Sequence, residues 1–241
     1  MGSQTKRQSR RGWVQRRSDR RALAAEPAHT EVEAQLRVLS SQWRRGIVSH
    51  ANGLRPRLDE AHDNIRGASD AKVALVEYGD YESNACKAAA PVVWRLNEQF
   101  GADMCVAWRH FPIADAHPHA AGAAVATLAA GAQGRFWQMH DRIHSAEPDH
   151  TGKVDLTPGA LRSVAERLEL DLDRYDAEVA DGVHLTHVFE DFNSGVLSGV
   201  NGCPTFFING KRLDWDFDIA SLEATLTRAL AVASEPAGAS A

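Results

Sequence analysis

Residues 81–91 read Tyr-Glu-Ser-Asn-Ala-Cys-Lys-Ala-Ala-Ala-Pro. Ser83 and Cys86 stand three positions apart, the spacing that two exchanging cysteines take at the start of a helix. In such a pair the helix N-terminus favours the first thiolate, which attacks a target disulfide; the second thiol then resolves the mixed disulfide. Ser83 supplies oxygen where that attack needs sulfur. A hydroxyl forms no mixed disulfide and is negligibly ionised near neutral pH, so a two-thiol cycle through residues 83 and 86 is closed to this chain. Two roles stay open for the hydroxyl: capping the following helix, or hydrogen-bonding the thiolate of another molecule. The other two cysteines are Cys105 and Cys203. Cys105 sits in an apolar run with Met104, Val106 and Ala107 and is expected in the core. Cys203 stands directly before Pro204.

The eleven histidines raise the question of a metal. His117 and His119 flank a proline. His140 with His144, and His184 with His187, are spaced to share helix faces. No cysteine–histidine cluster at zinc spacing accompanies them, so no metal site is expected.

The 241 residues carry a net charge of −5, which argues against a general nucleic-acid binder. No run of about 18 apolar residues is present, so no membrane span is expected. Three cysteines make no disulfide framework. Lys6, Arg7, Arg10, Arg11, Arg16, Arg17, Arg20 and Arg21 face a single Asp19 in a basic N-terminal arm. No apolar stretch follows it as a secretion signal requires, and a cytoplasmic location is expected.

The elements that must position these residues follow from periodicity. Residues 1–27 read as a disordered arm. Thr30 with Glu33 makes a capping box for a helix over about 31–47, with Val32, Leu36, Leu39 and Trp43 on one stripe; the rest of 28–70 reads as linker. Residues 72–80 and 103–111 are apolar, β-branched runs and predict strands. Between them a helix is expected over 84–100, capped by Ser83 or Asn84 and kinked at Pro91. A strand–helix–strand unit of this length implies parallel pairing. Residues 112–199 are helical in pattern, including a segment with Thr157 as cap and Pro158 at its first position. Residues 204–215 read as two strands around Asn209-Gly210, a strong hairpin signal. A final helix carries Ile219, Leu222, Leu226 and Leu230 on one face, and 232–241 read as a frayed tail.

The segments "EYGDYESNAC", "CKAAAP", "RHFPIADAHPHAAGAA", "GRFWQMHD" and "GVNGCPTFFINGKR" resemble, in order, stretches of the thioredoxin superfamily, and within it of the DsbA-like branch. The resemblance spans about residues 60–230. It implies an α/β thioredoxin-like fold: a discontinuous domain (71–111 and 200–231) with an inserted α-helical domain (112–199). It implies oxidoreductase-type chemistry on protein or peptide thiols and disulfides. Ser83 stands at the nucleophile's position, Cys86 at the resolving thiol's, and Glu77 at that of a buried acid that relays the resolving thiol's proton. Pro204 takes the place of a cis-proline, beside which the backbone around Cys203 and Thr205 pairs with an extended substrate. The residue before that proline lies next to the redox helix, so Cys86 and Cys203 are candidates to pair. No cofactor is implied, with one exception: some relatives use a serine at position 83 to hold glutathione. Three functions therefore stand side by side: a thiol–disulfide oxidoreductase-type protein with a divergent Ser-x-x-Cys site, a non-catalytic peptide-binding module, and a glutathione-binding transferase or isomerase.

Overall fold

The computed structural model describes residues 34–38, 40–41, 53–147, 154–213 and 219–234. The basic arm, most of the stripe expected over 31–47 and the C-terminal tail from 235 lie outside them; residues 34–38 and 40–41 are helical.

Five strands form one sheet: β1 (Asn64–Arg66), β2 (Val73–Gly79), β3 (Met104–His110), β4 (Thr205–Ile208) and β5 (Lys211–Arg212), in spatial order β1-β3-β2-β4-β5. Helix α1 (Asn84–Phe100) connects β2 to β3, and those strands pair in parallel, as a crossover of that length requires. β1 and β4 join the pair antiparallel on either side. Strand β1 corrects the sequence reading: it falls inside 28–70, taken there as helix and linker. Its three residues are too short to show an alternation, and only pairing with Trp108, Ala107 and Val106 makes them a strand.

Between β3 and β4 run helices α2 (Ala120–Gly131), α3 (Phe136–His144), α4 (Pro158–Arg167), α5 (Leu172–Ala180) and α6 (Leu185–Leu197). Among the described residues no strand lies between His110 and Thr205. Helix α7 (Ile219–Ser234) closes the chain.

Local chemistry accounts for most element ends. Ser83 and Thr157 accept the backbone N–H of Cys86 and Ala160 and cap α1 and α4. Pro91 lies within α1, which continues helical past it. Asn209 and Gly210 adopt φ of 48° and 77°, the two left-handed positions of a type I′ hairpin. The Asn209 side chain also accepts the Ala74 N–H at 2.8 Å, locking the turn to β2.

The sheet's period of two sorts its side chains onto two cores. Val73, Leu75, Met104, Val106, Phe206 and Ile208 pack with Val92, Val93 and Leu96 of α1 and Leu226 and Leu230 of α7. Val76, Tyr78, Ala107 and Phe207 face the inserted helices; Trp108, on the opposite face of β3 from Ala107, still reaches His140 and His144. Each such side chain contributes roughly 1.5–3 kcal/mol by leaving water. The packing is tight where β2 ends: a Cβ built on Gly79 would sit 2.0 Å from the Trp108 indole. Gly79→Ala is therefore expected to lower stability by about 1–3 kcal/mol through overpacking, read as a lower denaturant midpoint at unchanged m-value.

Candidate active site around Ser83 and Cys203

Strand β2 ends at Gly79, and the four residues after it turn the chain into α1. Asp80 builds that turn. Its carboxylate accepts the Glu82 N–H at 2.8 Å, the Ile113 N–H at 2.8 Å and the His117 ring nitrogen Nδ1 at 2.7 Å. It thereby ties the start of the helix to the segment leaving β3. The sequence reading did not single out Asp80; the available signal was an acid placed directly between strand and cap.

Ser83 is nearly buried, with extended backbone, and its Oγ accepts the Cys86 N–H at 3.4 Å. The hydroxyl thus serves as the helix cap. Cys86 is wholly buried one turn on, its Sγ 3.5 Å from the Asp80 backbone nitrogen. Cys203 comes to the same end of the sheet from just before β4, whose first residue Thr205 pairs with Tyr78 near the end of β2, and it has a cis peptide bond to Pro204. Its thiol donates to the Phe111 carbonyl at 3.6 Å. Cys86, 117 residues away in the chain, lies near enough to influence its ionisation. All three cysteines are free. Burial first, then the nearby Cys86, then the charges of Asp80 and Glu77 push the Cys203 thiol well above its ordinary pKa. It is a protonated, unreactive thiol at neutral pH. Cys105 is buried in β3, with a thiol pushed up by burial. Thr205 is buried, and its Oγ1 donates to the Gly202 carbonyl at 2.6 Å.

Glu77 is buried on β2 between Trp108 and Phe206 of the neighbouring strands. One carboxylate oxygen has no hydrogen-bond partner. Desolvation raises its pKa to about 8, so it is mostly protonated at pH 7. Arg66, Trp108 and His140 line the same narrow crevice. Next to it Tyr81, Trp108, His140 and His144 form a buried cluster in which the Tyr81 hydroxyl and His140 Nδ1 lie 3.1 Å apart. Burial holds His140 and His144 neutral, His144 with a pKa lowered to about 3. Helix spacing suggested that His140 and His144 share a face; it could not say that the face is a dry one.

Ser83 opens onto a cleft of about 260 Å³. Tyr81, Glu82, Asn84 and Lys87 line one side, and Ala116, His117, Val154 and Leu156 the other. Lys87 donates to the Ala146 carbonyl across this end. The sequence residues Ser83, Cys86 and Cys203 thus come together, with Pro204 and Thr205 adjoining. Elsewhere, a buried bidentate pair that sequence reasoning missed joins Arg109 Nε to Asp63 Oδ1 at 2.6 Å and Nη2 to Oδ2 at 2.9 Å.

The profile of the DSBA-like thioredoxin domain family matches residues 74–227. Among solved structures, BdbD from Bacillus subtilis superposes with a TM-score of 0.65 at 18% identity, over 76% of this chain and 97% of that one. Proteus mirabilis ScsC superposes with a TM-score of 0.58 at 20% identity, over 93% and 99%. At these identities the likeness is one of fold. A protein named Na(+)/H(+) antiporter NhaA 1 from Salinispora arenicola is 42% identical over 174 residues, 72% of this chain and 26% of that protein. One named Na(+)/H(+) antiporter NhaA from Herminiimonas arsenicoxydans is 34% identical over 194 residues, 79% and 29%. The chain spans little more than a quarter of the length of these curated relatives.

Proposed function

The chain belongs to the DSBA-like thioredoxin domain family, and from that premise we propose that it is an oxidoreductase-type protein whose two-thiol cycle has lapsed and whose remaining work is to hold an extended polypeptide in the cleft beside Ser83. One observation carries this reading: the atom at the attacking position is the Ser83 oxygen, already occupied as a helix cap, while both nearby thiols are buried. Binding of a polypeptide needs backbone hydrogen bonds and a fitting groove, not sulfur. A fluorescent, cysteine-free extended peptide tests it by anisotropy. Binding is expected in wild type and in Cys86→Ser. Loss is expected in Ala116→Trp, whose side chain starts from an exposed position on the cleft wall and fills it. No binding by wild type, or equal binding by Ala116→Trp, contradicts the reading. Retention on immobilised glutathione that disappears in Ser83→Ala would instead favour the glutathione-binding alternative.

A second reading rests on the nearness of the Cys203 and Cys86 thiols, each of which is buried and free. Two thiols in contact become a disulfide by losing two electrons and two protons to an oxidant, provided their Cα atoms stand within about 7 Å. Mild diamide treatment followed by peptide mapping is expected to link the fragments bearing residues 86 and 203 and to leave Cys105 free. Both thiols surviving the treatment would remove this reading.

The partner is read from the relatives. Segments like this chain lie within longer proteins named Na(+)/H(+) antiporters, and we propose such an antiporter as the polypeptide engaged; site-specific crosslinking from residue 116 in membrane preparations checks this, and absence of an antiporter adduct contradicts it. Among the described residues no helix is long and apolar enough to cross a membrane. The expected cytoplasmic location gains no support from the comparisons, in which a thioredoxin-like protein of similar fold from Salmonella enterica is described as periplasmic.

A further inference from the structure

Helix α6 carries His187 and Asp191 four residues apart, so both project from one face. His62 reaches that face from the segment leading into β1, across 129 residues of sequence. Its Nε2 lies 2.9 Å from Asp191 Oδ1. The other carboxylate oxygen lies 3.7 Å from His187 Nε2 and accepts the His110 backbone N–H at 2.9 Å. The His62 and His187 rings stack at 4.1 Å with 12° between their planes. Both rings therefore present a nitrogen to the same carboxylate, and the three donor atoms lie within 4.8 Å of one another. His187 Nε2 is shut off from solvent and has no hydrogen-bond partner. A buried polar atom left in that state is costly, and here it is aimed at a carboxylate too distant for a hydrogen bond.

We infer that His62, His187 and Asp191 form a binding site for a first-row divalent transition metal of the zinc type. Two imidazole nitrogens and one carboxylate oxygen are a borderline donor set, suited to zinc and its neighbours. Calcium and magnesium want oxygen donors in larger number. Bonds of about 2.0–2.2 Å at tetrahedral angles put ligand atoms roughly 3.3 Å apart. The three donor atoms, one from each residue, lie within 4.8 Å of one another, so any pair needs to close by no more than about 1.5 Å to reach that spacing. Both histidine side chains are about one-quarter exposed, which leaves the ion a way in and a fourth position for water. The surroundings already orient the donors. The His110 N–H pins the carboxylate, and Glu190 lies 3.8 Å from the far nitrogen of His62. A bound ion would cross-link the segment before β1 to an inserted helix, whether or not the cysteines react.

The full-length chain, freed of metal, is titrated with zinc chloride by calorimetry and melted with and without zinc. One equivalent is expected to bind and to raise Tm. His187→Gln, which breaks no hydrogen bond at Nε2, and His62→Gln should each weaken binding by at least about 10-fold and abolish the rise. Cobalt(II) in the unaltered chain gives a second readout: weak visible bands of nitrogen–oxygen ligation, without near-ultraviolet thiolate charge transfer. The Cys86→Ser, Cys203→Ser double variant should still take up one equivalent. The proposal is overturned by absence of zinc uptake, by uptake indifferent to both histidine substitutions, by uptake lost with the cysteines, or by a thiolate–cobalt spectrum.

Discussion

Ser83→Cys is expected to give the chain a disulfide exchange that the Ser83 hydroxyl does not support. The substitution puts sulfur at the first turn of α1, where backbone N–H groups and the helix dipole favour an anion. A thiol there ionises below its free value of about 8.5. If its pKa falls to near 6.5, the thiolate fraction at pH 7 rises roughly 25-fold over a free thiol. The new thiol follows the cysteine-x-x-cysteine spacing with Cys86, so a disulfide between residues 83 and 86 should form on oxidation and turn over with a small disulfide substrate. A further Cys86→Ser change should trap the mixed disulfide. Loss of the cap is expected to cost about 1 kcal/mol in the reduced protein. A Ser83→Cys chain that forms no such disulfide would mean that more than one residue separates this site from exchange.

Glu77→Gln should change the pH dependence of stability more than any other single substitution on β2. The buried acid has its pKa raised from the ordinary 4.5 to about 8, because folding takes it from water into the sheet. The folded state therefore binds this proton more tightly than the unfolded chain does. Its contribution to stability is greatest below pH 4.5, falls as the pH rises through the window to about 8, and is flat beyond. The slope approaches about 1.4 kcal/mol per pH unit and sums to roughly 5 kcal/mol. Glutamine keeps the shape of the protonated acid and cannot ionise. Urea titrations of both proteins from pH 5 to 9 should show wild type falling relative to the variant as pH rises, with the variant the more stable at pH 9. Tyr81 and Cys203 feel the same charge but are held well above their ordinary pKa values, chiefly by burial, and stay protonated over this range. Parallel curves would contradict the raised pKa. The family resemblance assigns this same carboxyl the relay of the resolving thiol's proton, and we propose that it keeps that role. In the Ser83→Cys background, Glu77→Gln should therefore slow turnover.

Much of this was legible in the sequence wherever a signal is local. Ser83 and Thr157 announce their caps by residue type, Asn209-Gly210 announces a hairpin, and the apolar, β-branched run over 72–80 announces β2. The family resemblance supplied what spacing could not, above all the approach of Cys203 to Cys86. What stayed hidden depends on residues far apart in the chain with no periodic mark. Strand β1 is three residues held by β3. Asp63 is recognisable as a partner only when Arg109 is seen beside it. The sequence reading set His187 beside His184, whereas its partners in the proposed set are Asp191, four residues on, and His62, far back in the chain. Charged and polar side chains find one another through the tertiary fold, and a linear pattern carries no trace of it.

The central claim is that the Ser83 oxygen closes the exchange cycle while the scaffold persists. The most direct measurement is reduction of insulin by dithiothreitol, followed as turbidity, with the unaltered chain, the Ser83→Cys chain and no protein compared side by side. The account predicts that the unaltered chain precipitates insulin no faster than dithiothreitol alone, and that Ser83→Cys shortens the lag. Acceleration by the unaltered chain would contradict it, and would mean that the buried Cys86 or Cys203 thiol reaches substrate after all.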